Sequence, residues 1–215
     1  MVRPRVSVRV RGLSPVVRGQ AFSHRLDLPL ATHSRADAPV FLIGFMASGK
    51  TTVGRIVAAR LGWGFQDLDQ IVTTAAGRSV ADIFARDGEA EFRRRESEAL
   101  RAVCETRRTV IATGGGAACQ EQNLALMLAK GGVVALSVQP AEVIRRAGSD
   151  GGRPLLGSPT GTAAGQTDAI SAAAQLLATR EAFYARAHHR VETDGKSPEQ
   201  VAEEVLRLLG GGARP

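Results

Sequence analysis

The sequence has few cysteines and aromatic residues and no long apolar run. No hydrophobic stretch among the 215 residues reaches the roughly 18 residues needed to cross a membrane, so we expect a soluble protein. Cys104 and Cys119 do not form a Cys-x-x-Cys pair, and we interpret both as small buried or half-buried residues rather than ligands or a disulfide. Such cysteine usage is typical of the reducing cytoplasm. Trp63 and Tyr184 are interpreted as packing residues.

Lysine is also scarce, since only three of the 28 basic residues are lysines, and the net charge of +7 is unevenly spread. Residues 1–38 hold seven arginines against two aspartates, so this segment carries +5 and the rest of the chain only +2. We therefore do not expect the folded part to bind nucleic acid. His188 and His189 lack ligand spacing to another histidine or cysteine, which does not favour a metal site.

The segment 1–38 is predicted to be a disordered basic arm, because it contains three prolines and no sustained apolar periodicity. Three interpretations remain open. The first is a solvated tail, or a predicted protein start placed too far upstream. The second is an arginine-rich organelle-targeting sequence, and the third is a weak polyanion-binding arm. It lacks the continuous apolar core of a secretory signal.

The segment 39–212 alternates short apolar strands with amphipathic helices, which predicts one α/β domain. Five strands in such an alternation imply a parallel sheet covered by helices on both faces, with ligands beyond the carboxyl ends of the strands. The strands that can be located are 40–45, 65–68, 109–112 and 133–138, and the clearest helices are 49–61, 79–86, 89–104 and 197–209.

A phosphate-binding loop follows the first predicted strand. Residues 44–51, GFMASGKT, match G-x-x-x-x-G-K-[ST] in full and open a predicted helix. Backbone N–H groups of such a loop and the helix N-terminus attract phosphate. We expect Lys50 to reach the β- and γ-phosphates and the Thr51 hydroxyl to bind Mg²⁺.

Acidic side chains follow the second predicted strand. Asp67 and Asp69 are two residues apart, which places both on one side of an extended segment. One carboxylate near Mg²⁺ and one near an acceptor hydroxyl suit phosphoryl transfer, although a solvated turn is the alternative.

Further candidates lie on a helix, at a strand end and in a small-residue stretch. Arg93 and Glu96 are i,i+3 neighbours, so Glu96 could orient a guanidinium that grips a carboxylate; the alternative is a solvated face. Gly114–Gly116 would let a ligand approach the backbone or form a tight turn. Residues of about 148–175 are predicted to be a mobile lid with Arg153 at its base, and Arg180 lies on the following helix.

Taken together, the segments GFMASGKTTVGR, FQDLD, GRSVADIFARDGEAEFRRRE, TGGGA and RPLL and the region of Arg180 resemble shikimate kinase in identity, order and spacing. The resemblance covers residues of about 40–209. It implies a nucleoside-monophosphate-kinase-like fold with a five-stranded parallel sheet. It also implies transfer of the γ-phosphate of ATP to shikimate, giving shikimate 3-phosphate for aromatic amino-acid biosynthesis. The enzyme would be a cytoplasmic monomer that uses Mg²⁺ and binds neither nucleic acid nor membrane.

The resemblance also implies residue roles. Asp69 would bind the acceptor hydroxyls and act as the candidate base, and Asp67 would act on Mg²⁺ through water. Arg93 and Arg180 would hold the shikimate carboxylate, with Gly115 contacting the acceptor. Arg153 would close onto the phosphates as a catalytic residue. The implied ATP-binding residues are Gly44, Ala47, Ser48, Gly49, Lys50, Thr51, Thr52, Arg146, Arg153 and Pro198, with Arg146 and Pro198 near the adenine.

Two features depart from the family pattern. Ala47-Ser48 stands where the family usually has a second glycine and a small residue, and the stretch between Arg153 and Arg180 is longer than usual and poor in charge. Two other functions compete with shikimate phosphorylation. A related kinase, such as one acting on gluconate, would share the phosphate loop but not the whole set of acceptor-side motifs. An ATP-sensing module without catalysis would be expected to lack Lys50, Thr51 or Asp69, and all three are present.

Overall fold

The computed structural model describes residues 37–149 and 163–210. The predictions for residues 1–36 and for Arg153 lie outside these ranges. Asp37 lies at the end of the segment predicted to be a disordered arm. Asp37 forms an ion pair with Arg108 at 2.7 Å, and its carbonyl accepts a hydrogen bond from the Arg108 backbone N–H at 2.9 Å.

Five parallel strands form one sheet, as predicted from the sequence, and their order is β2-β3-β1-β4-β5. The strands are β1 (Val40–Gly44), β2 (Gly64–Asp67), β3 (Thr109–Ala112), β4 (Gly132–Ser137) and β5 (His189–Glu192). The helices are α1 (Lys50–Leu61), α2 (Leu68–Ala76), α3 (Val80–Val103), α4 (Glu121–Lys130), α5 (Pro140–Ser149), α6 (Ala163–Tyr184) and α7 (Pro198–Leu209).

The central strand β1 contributes to two cores, one on each face of the sheet, because successive side chains of a strand point to opposite faces. Val40 and Leu42 pack on one face with residues of α1 and α7, including Val53, Val57, Val201 and Val205. Phe41 and Ile43 pack on the other face with residues of α3, α4, α5 and α6, including Leu100, Leu124, Met127, Val143 and Ala173. Because β1 is the central strand, its carboxyl end lies in the middle of the row of strand ends where a ligand is expected to bind.

Helix boundaries agree with the sequence where capping signals are strong. Ser197 caps α7 in a complete capping box with Gln200, so α7 spans the predicted residues. The two helices predicted on either side of residue 88 are confirmed, because α3 is interrupted at Gly88, whose backbone (φ 82°, ψ 168°) is not helical. The sequence analysis did not locate α2 or β5, because both are short and α2 follows β2 without an intervening loop.

Helices cover both ends of the stretch predicted to be a lid. Helix α5 continues to Ser149 and α6 begins at Ala163, so the second half of the stretch predicted as lid is helical. This half is rich in alanine, the strongest helix former. The mobility predicted for the stretch stays a prediction. Within residues 37–149 and 163–210, no helix combines the length and apolarity required to span a membrane.

Candidate active site

Two adjoining pockets open at the carboxyl edge of the sheet, and they share Asp69 and Gly115. The larger pocket, about 600 Å³, surrounds the phosphate loop. Of the residues predicted to bind ATP, those that line it are Ala47, Ser48, Gly49, Lys50, Thr51, Thr52, Arg146 and Pro198. The smaller pocket, about 510 Å³, is lined by Arg93, Arg180 and the triple glycine. The residues predicted to bind a nucleotide and an acceptor therefore face two connected cavities.

The phosphate loop connects β1 to α1. Its first glycine, Gly44, packs so closely on β4 that an added Cβ would lie 2.3 Å from the Leu136 carbonyl oxygen. The Lys50 side chain is buried inside the loop, where its Nζ donates to the carbonyls of Gly44 at 2.9 Å and Phe45 at 2.6 Å. These bonds hold the ammonium group beside the backbone that is predicted to wrap around phosphate.

The residues predicted to contact Mg²⁺ are hydrogen-bonded to each other. The Thr51 hydroxyl donates to Asp67 Oδ2 at 2.7 Å. A hydroxyl and a carboxylate are hard oxygen donors of the kind that Mg²⁺ prefers, and Mg²⁺ commonly takes few protein ligands together with water and substrate phosphates. This pair therefore suits the metal chemistry of a nucleotide site.

Asp67 and Asp69 reach the same pocket, but not for the reason inferred from the sequence. Strand β2 ends at Asp67, whose Oδ1 caps α2 by accepting the backbone N–H of Asp69 at 3.0 Å. Asp69 thus lies in the first turn of a helix rather than in an extended segment, which corrects the period-two argument. The turn brings Asp69 to the junction of the two pockets.

Arg93 is held by acidic side chains of its own helix. Its Nη1 donates to Glu96 Oε2 at 2.8 Å, which confirms the predicted pairing, and its Nη2 contacts Glu89 Oε1 at 3.2 Å. Glu96 is fully buried, and this burial raises the pKa of its carboxyl although Arg93 opposes the shift. The guanidinium therefore lies in the smaller pocket in a fixed orientation.

The triple glycine makes room for the protein's own side chains. A Cβ on Gly116 would lie 2.5 Å from Arg93 Nη2, and a Cβ on Gly114 would lie 2.2 Å from Glu96 Oε1 and 2.6 Å from Asp69 Oδ1. Larger residues at these two positions would therefore displace the candidate acceptor-binding groups. Gly115 is the glycine that lines both pockets.

Tyr184 has a polar contact that the sequence analysis missed. It is buried, as expected of a packing residue, but its hydroxyl donates to the Gly115 carbonyl at 2.6 Å. Arg180 Nη1 donates to the same carbonyl at 3.3 Å. The i,i+4 spacing of these residues on one helix is the sequence signal that could have connected them. Cys104 is buried and Cys119 half-buried, as predicted.

Arg146 makes a larger set of contacts than its predicted place near adenine suggests. It lines the larger pocket, but its guanidinium also bonds the Ala47 carbonyl, Thr193 and Glu142. The sequence offers no signal for the contacts with Ala47 and Thr193, because these residues are 99 and 47 positions from Arg146, whereas the pair with Glu142 is an i,i+4 pair.

A parallel sheet with a phosphate loop at its central strand and a second pocket rich in arginine defines a P-loop kinase that acts on a small acceptor. The comparisons name the family. The shikimate kinase family model matches residues 46–210. The chain is 45% identical over 170 residues to shikimate kinase of Moorella thermoacetica, covering 79% of this chain and 93% of that protein. The chain belongs to the shikimate kinase family.

A second relative and a solved structure are also shikimate kinases. Shikimate kinase of Geobacter metallireducens is 42% identical over 172 residues, covering 80% of this chain and 92% of that protein. The structure of shikimate kinase from Acinetobacter baumannii in complex with shikimate superposes with a TM-score of 0.75 at 32% identity, covering 82% of this chain and 96% of that one. A gluconokinase from Sinorhizobium meliloti shares the fold alone, with a TM-score of 0.51 at 16% identity over 81% of this chain and 92% of that one.

Proposed function

We propose that this chain transfers the γ-phosphate of ATP to the 3-hydroxyl of shikimate, giving ADP and shikimate 3-phosphate for aromatic amino-acid biosynthesis. The observation that carries the proposal is the meeting of two pockets at Asp69 and Gly115. A phosphoryl group moves a short distance between donor and acceptor oxygens, so the two substrates have to lie in connected cavities. Membership of the shikimate kinase family supports the identity of the acceptor.

Asp69 is proposed to orient the acceptor hydroxyl and accept its proton. It is the one carboxylate common to the residues that line the two described pockets. Much of its contribution in a loose transition state would come from positioning the hydroxyl in line with the γ-phosphate. Lys50 would stabilise the charge on the transferring group from within the phosphate loop.

Thr51 and Asp67 are proposed to hold Mg²⁺, with Asp67 acting through a water molecule. Their 2.7 Å hydrogen bond keeps both oxygens at the N-terminus of α1, beside the phosphate loop. When bound, the metal would neutralise charge on the phosphates. The role of Arg153 at the phosphates stays a prediction.

Arg93 and Arg180 are proposed to bind the shikimate carboxylate, since two guanidinium groups line one small pocket. The apolar side chains of Phe84 and Phe92 also line this pocket. The ring carbons of a carbocycle can lie against these apolar side chains, whereas the extended polyol chain of gluconate would leave hydroxyls without hydrogen-bond partners there. The pocket therefore favours shikimate over gluconate. The presence of Lys50, Thr51 and Asp69 in the larger pocket favours a kinase over a silent ATP sensor.

The experiment is a coupled assay of ADP release with shikimate, gluconate or adenylate as acceptor. We expect turnover with shikimate and little above the ATPase background with the other two. Faster turnover with gluconate or adenylate would contradict the assignment. The monomeric state, the cytoplasmic location and the lack of nucleic-acid or membrane binding stay predictions from the sequence.

A further inference from the structure

The phosphate loop contains an alanine in a backbone conformation that favours glycine. Ala47 has φ 56°, in the left-handed region that L-residues with a Cβ avoid. Successive right- and left-handed residues create the concave run of N–H groups that binds anions. The loop therefore needs Ala47 in this conformation, although the side chain disfavours it.

Arg146 contacts the backbone of this strained residue. Its Nη1 donates to the Ala47 carbonyl oxygen at 3.2 Å, across a separation of 99 residues. The peptide group that follows Ala47 is thereby bonded to a side chain of α5. A hydrogen bond to this carbonyl opposes rotation of the peptide group, and hence any relaxation of Ala47 toward the right-handed region.

The guanidinium of Arg146 is itself anchored on three sides. Nη1 donates to Thr193 Oγ1 at 3.1 Å, Nη2 donates to the Thr193 carbonyl at 2.9 Å, and Nε donates to Glu142 Oε1 at 2.7 Å. Thr193 is buried and bonds the sheet, since its N–H and its hydroxyl both donate to the Ser137 carbonyl, at 2.9 and 2.8 Å. Arg146 thus connects the phosphate loop to the ends of β4 and β5.

We propose that Arg146 is a positioning residue for the phosphate loop, which holds Ala47 in its left-handed conformation. A glycine at position 47 would adopt this conformation without strain, so the chain would then depend less on Arg146. This role adds to any direct contact of Arg146 with the nucleotide. It rests on the proposed function only in that ATP is the nucleotide bound.

A double-mutant cycle separates the two roles. The dissociation constant of the magnesium complex of a non-hydrolysable ATP analogue is measured by calorimetry for the native protein, Ala47→Gly, Arg146→Met and the double variant. The left-handed strain of a non-glycine residue corresponds to a population factor of roughly five- to thirtyfold. We expect Arg146→Met to weaken binding by at least this factor in the native background. The loss should be smaller by roughly five- to thirtyfold in the Ala47→Gly background.

Equal losses in both backgrounds, within about twofold, would overturn the proposal, because a residue that acts only on the nucleotide is indifferent to residue 47. Arg146→Lys provides a second cycle should Arg146→Met fold poorly, since it keeps the charge but not the planar fork. Its loss should likewise be suppressed by Ala47→Gly, and an unsuppressed loss there would also overturn the proposal.

Arg186→Gln is the matched control. Arg186 forms a two-pronged ion pair with Glu121 at the surface, at 2.6 and 2.8 Å, and should show no coupling to Ala47→Gly. Coupling of similar size for Arg186 would show a general effect on stability and overturn the proposal. The binding assay needs no acceptor, and shikimate-dependent turnover of the native protein tests the proposed function separately.

Discussion

The Tyr184 hydroxyl donates a hydrogen bond to the Gly115 carbonyl at 2.6 Å, and Arg180, one turn earlier on α6, donates to the same oxygen at 3.3 Å. Burial raises the pKa of Tyr184, so the phenol stays protonated and remains a donor at physiological pH. The two bonds connect the helix that carries Arg180 to the glycine that lines both pockets. The position of α6 relative to the acceptor pocket therefore depends on this carbonyl.

Tyr184→Phe should raise KM for shikimate by roughly two- to tenfold, because it removes one neutral hydrogen bond and keeps the ring packing. KM for ATP should change little. Thr109→Val is the matched control, since the Thr109 hydroxyl is also buried but bonds the Arg107 carbonyl, at 2.9 Å, at the start of strand β3. Steady-state kinetics with each substrate varied would contradict this prediction if both variants raised both KM values equally.

Lys50→Ala should lower kcat by roughly 100- to 1000-fold, because it removes a positive group aimed at charge that develops in the transition state. The fold should persist, which thermal unfolding followed by circular dichroism can establish. A folded variant with nearly native turnover would contradict the assignment of this loop to phosphoryl transfer.

Asp69→Asn keeps the shape of the side chain and removes its charge. We expect kcat to fall by roughly 100-fold or more, since a general base and its positioning are lost together. Affinity for ATP should be largely retained. Titration calorimetry with each substrate tests the assignment, which is wrong if ATP binding collapses while shikimate binding persists.

Arg93→Ala should lower kcat/KM for shikimate by roughly ten- to several hundredfold, because hydrogen bonds to charged groups are strong. Arg93→Lys should recover only part of the loss, since an ammonium group cannot reproduce the planar fork. Arg94→Ala is the control on the same helix, where the Arg94 side chain is 56% exposed and paired with Glu91 and Glu98. An acceptor without a carboxylate should be a poor substrate for the native protein, and Arg93→Ala should lower its kcat/KM little further. If Arg93→Ala lowers kcat/KM equally for both acceptors, Arg93 is instead a structural partner of Glu96.

The pH dependence of KM for shikimate should reflect protonation of the buried Glu96 carboxyl. Burial raises its pKa, so as pH falls through that value Glu96 becomes protonated and its ion pair with Arg93 weakens. KM for shikimate should therefore rise toward acid pH in the native protein. Glu96→Gln should raise KM at neutral pH and flatten this dependence, and an unchanged acid limb in that variant would contradict the assignment.

The raised pKa of Glu96 should make the free energy of unfolding larger at acid pH, although acid pH weakens shikimate binding. A carboxyl whose pKa is higher in the folded state binds its proton more tightly there. Its contribution to the free energy of unfolding is present below the unfolded-state pKa and is lost as pH rises through the folded-state pKa. Glu96→Gln should remove this slope in urea denaturation measured across the acid range.

Much of the fold could be predicted because its signals are local. The apolar run of β1, the phosphate loop and the Ser197 cap each depend on residues close in sequence, so strand, turn and helix starts follow from short-range sterics and hydrogen bonding. The pairing of Arg93 with Glu96 belongs to the same group, since i,i+3 neighbours meet on any helix. Helix α2 was not located because it is short and follows β2 without a loop, and the start of α6 was not located because the small residues there were interpreted as a lid.

The sequence by itself determined the phosphate loop, the alternation of strands and helices, and the residue types of the site. Only the tertiary structure decided that Asp69 lies where two pockets meet, that Tyr184 holds the Gly115 carbonyl, and that Arg146 supports Ala47. These contacts join residues 69 and 99 positions apart or depend on the turn into α2. Sheet order and helix packing bring such residues together, and no local pattern encodes the resulting distances.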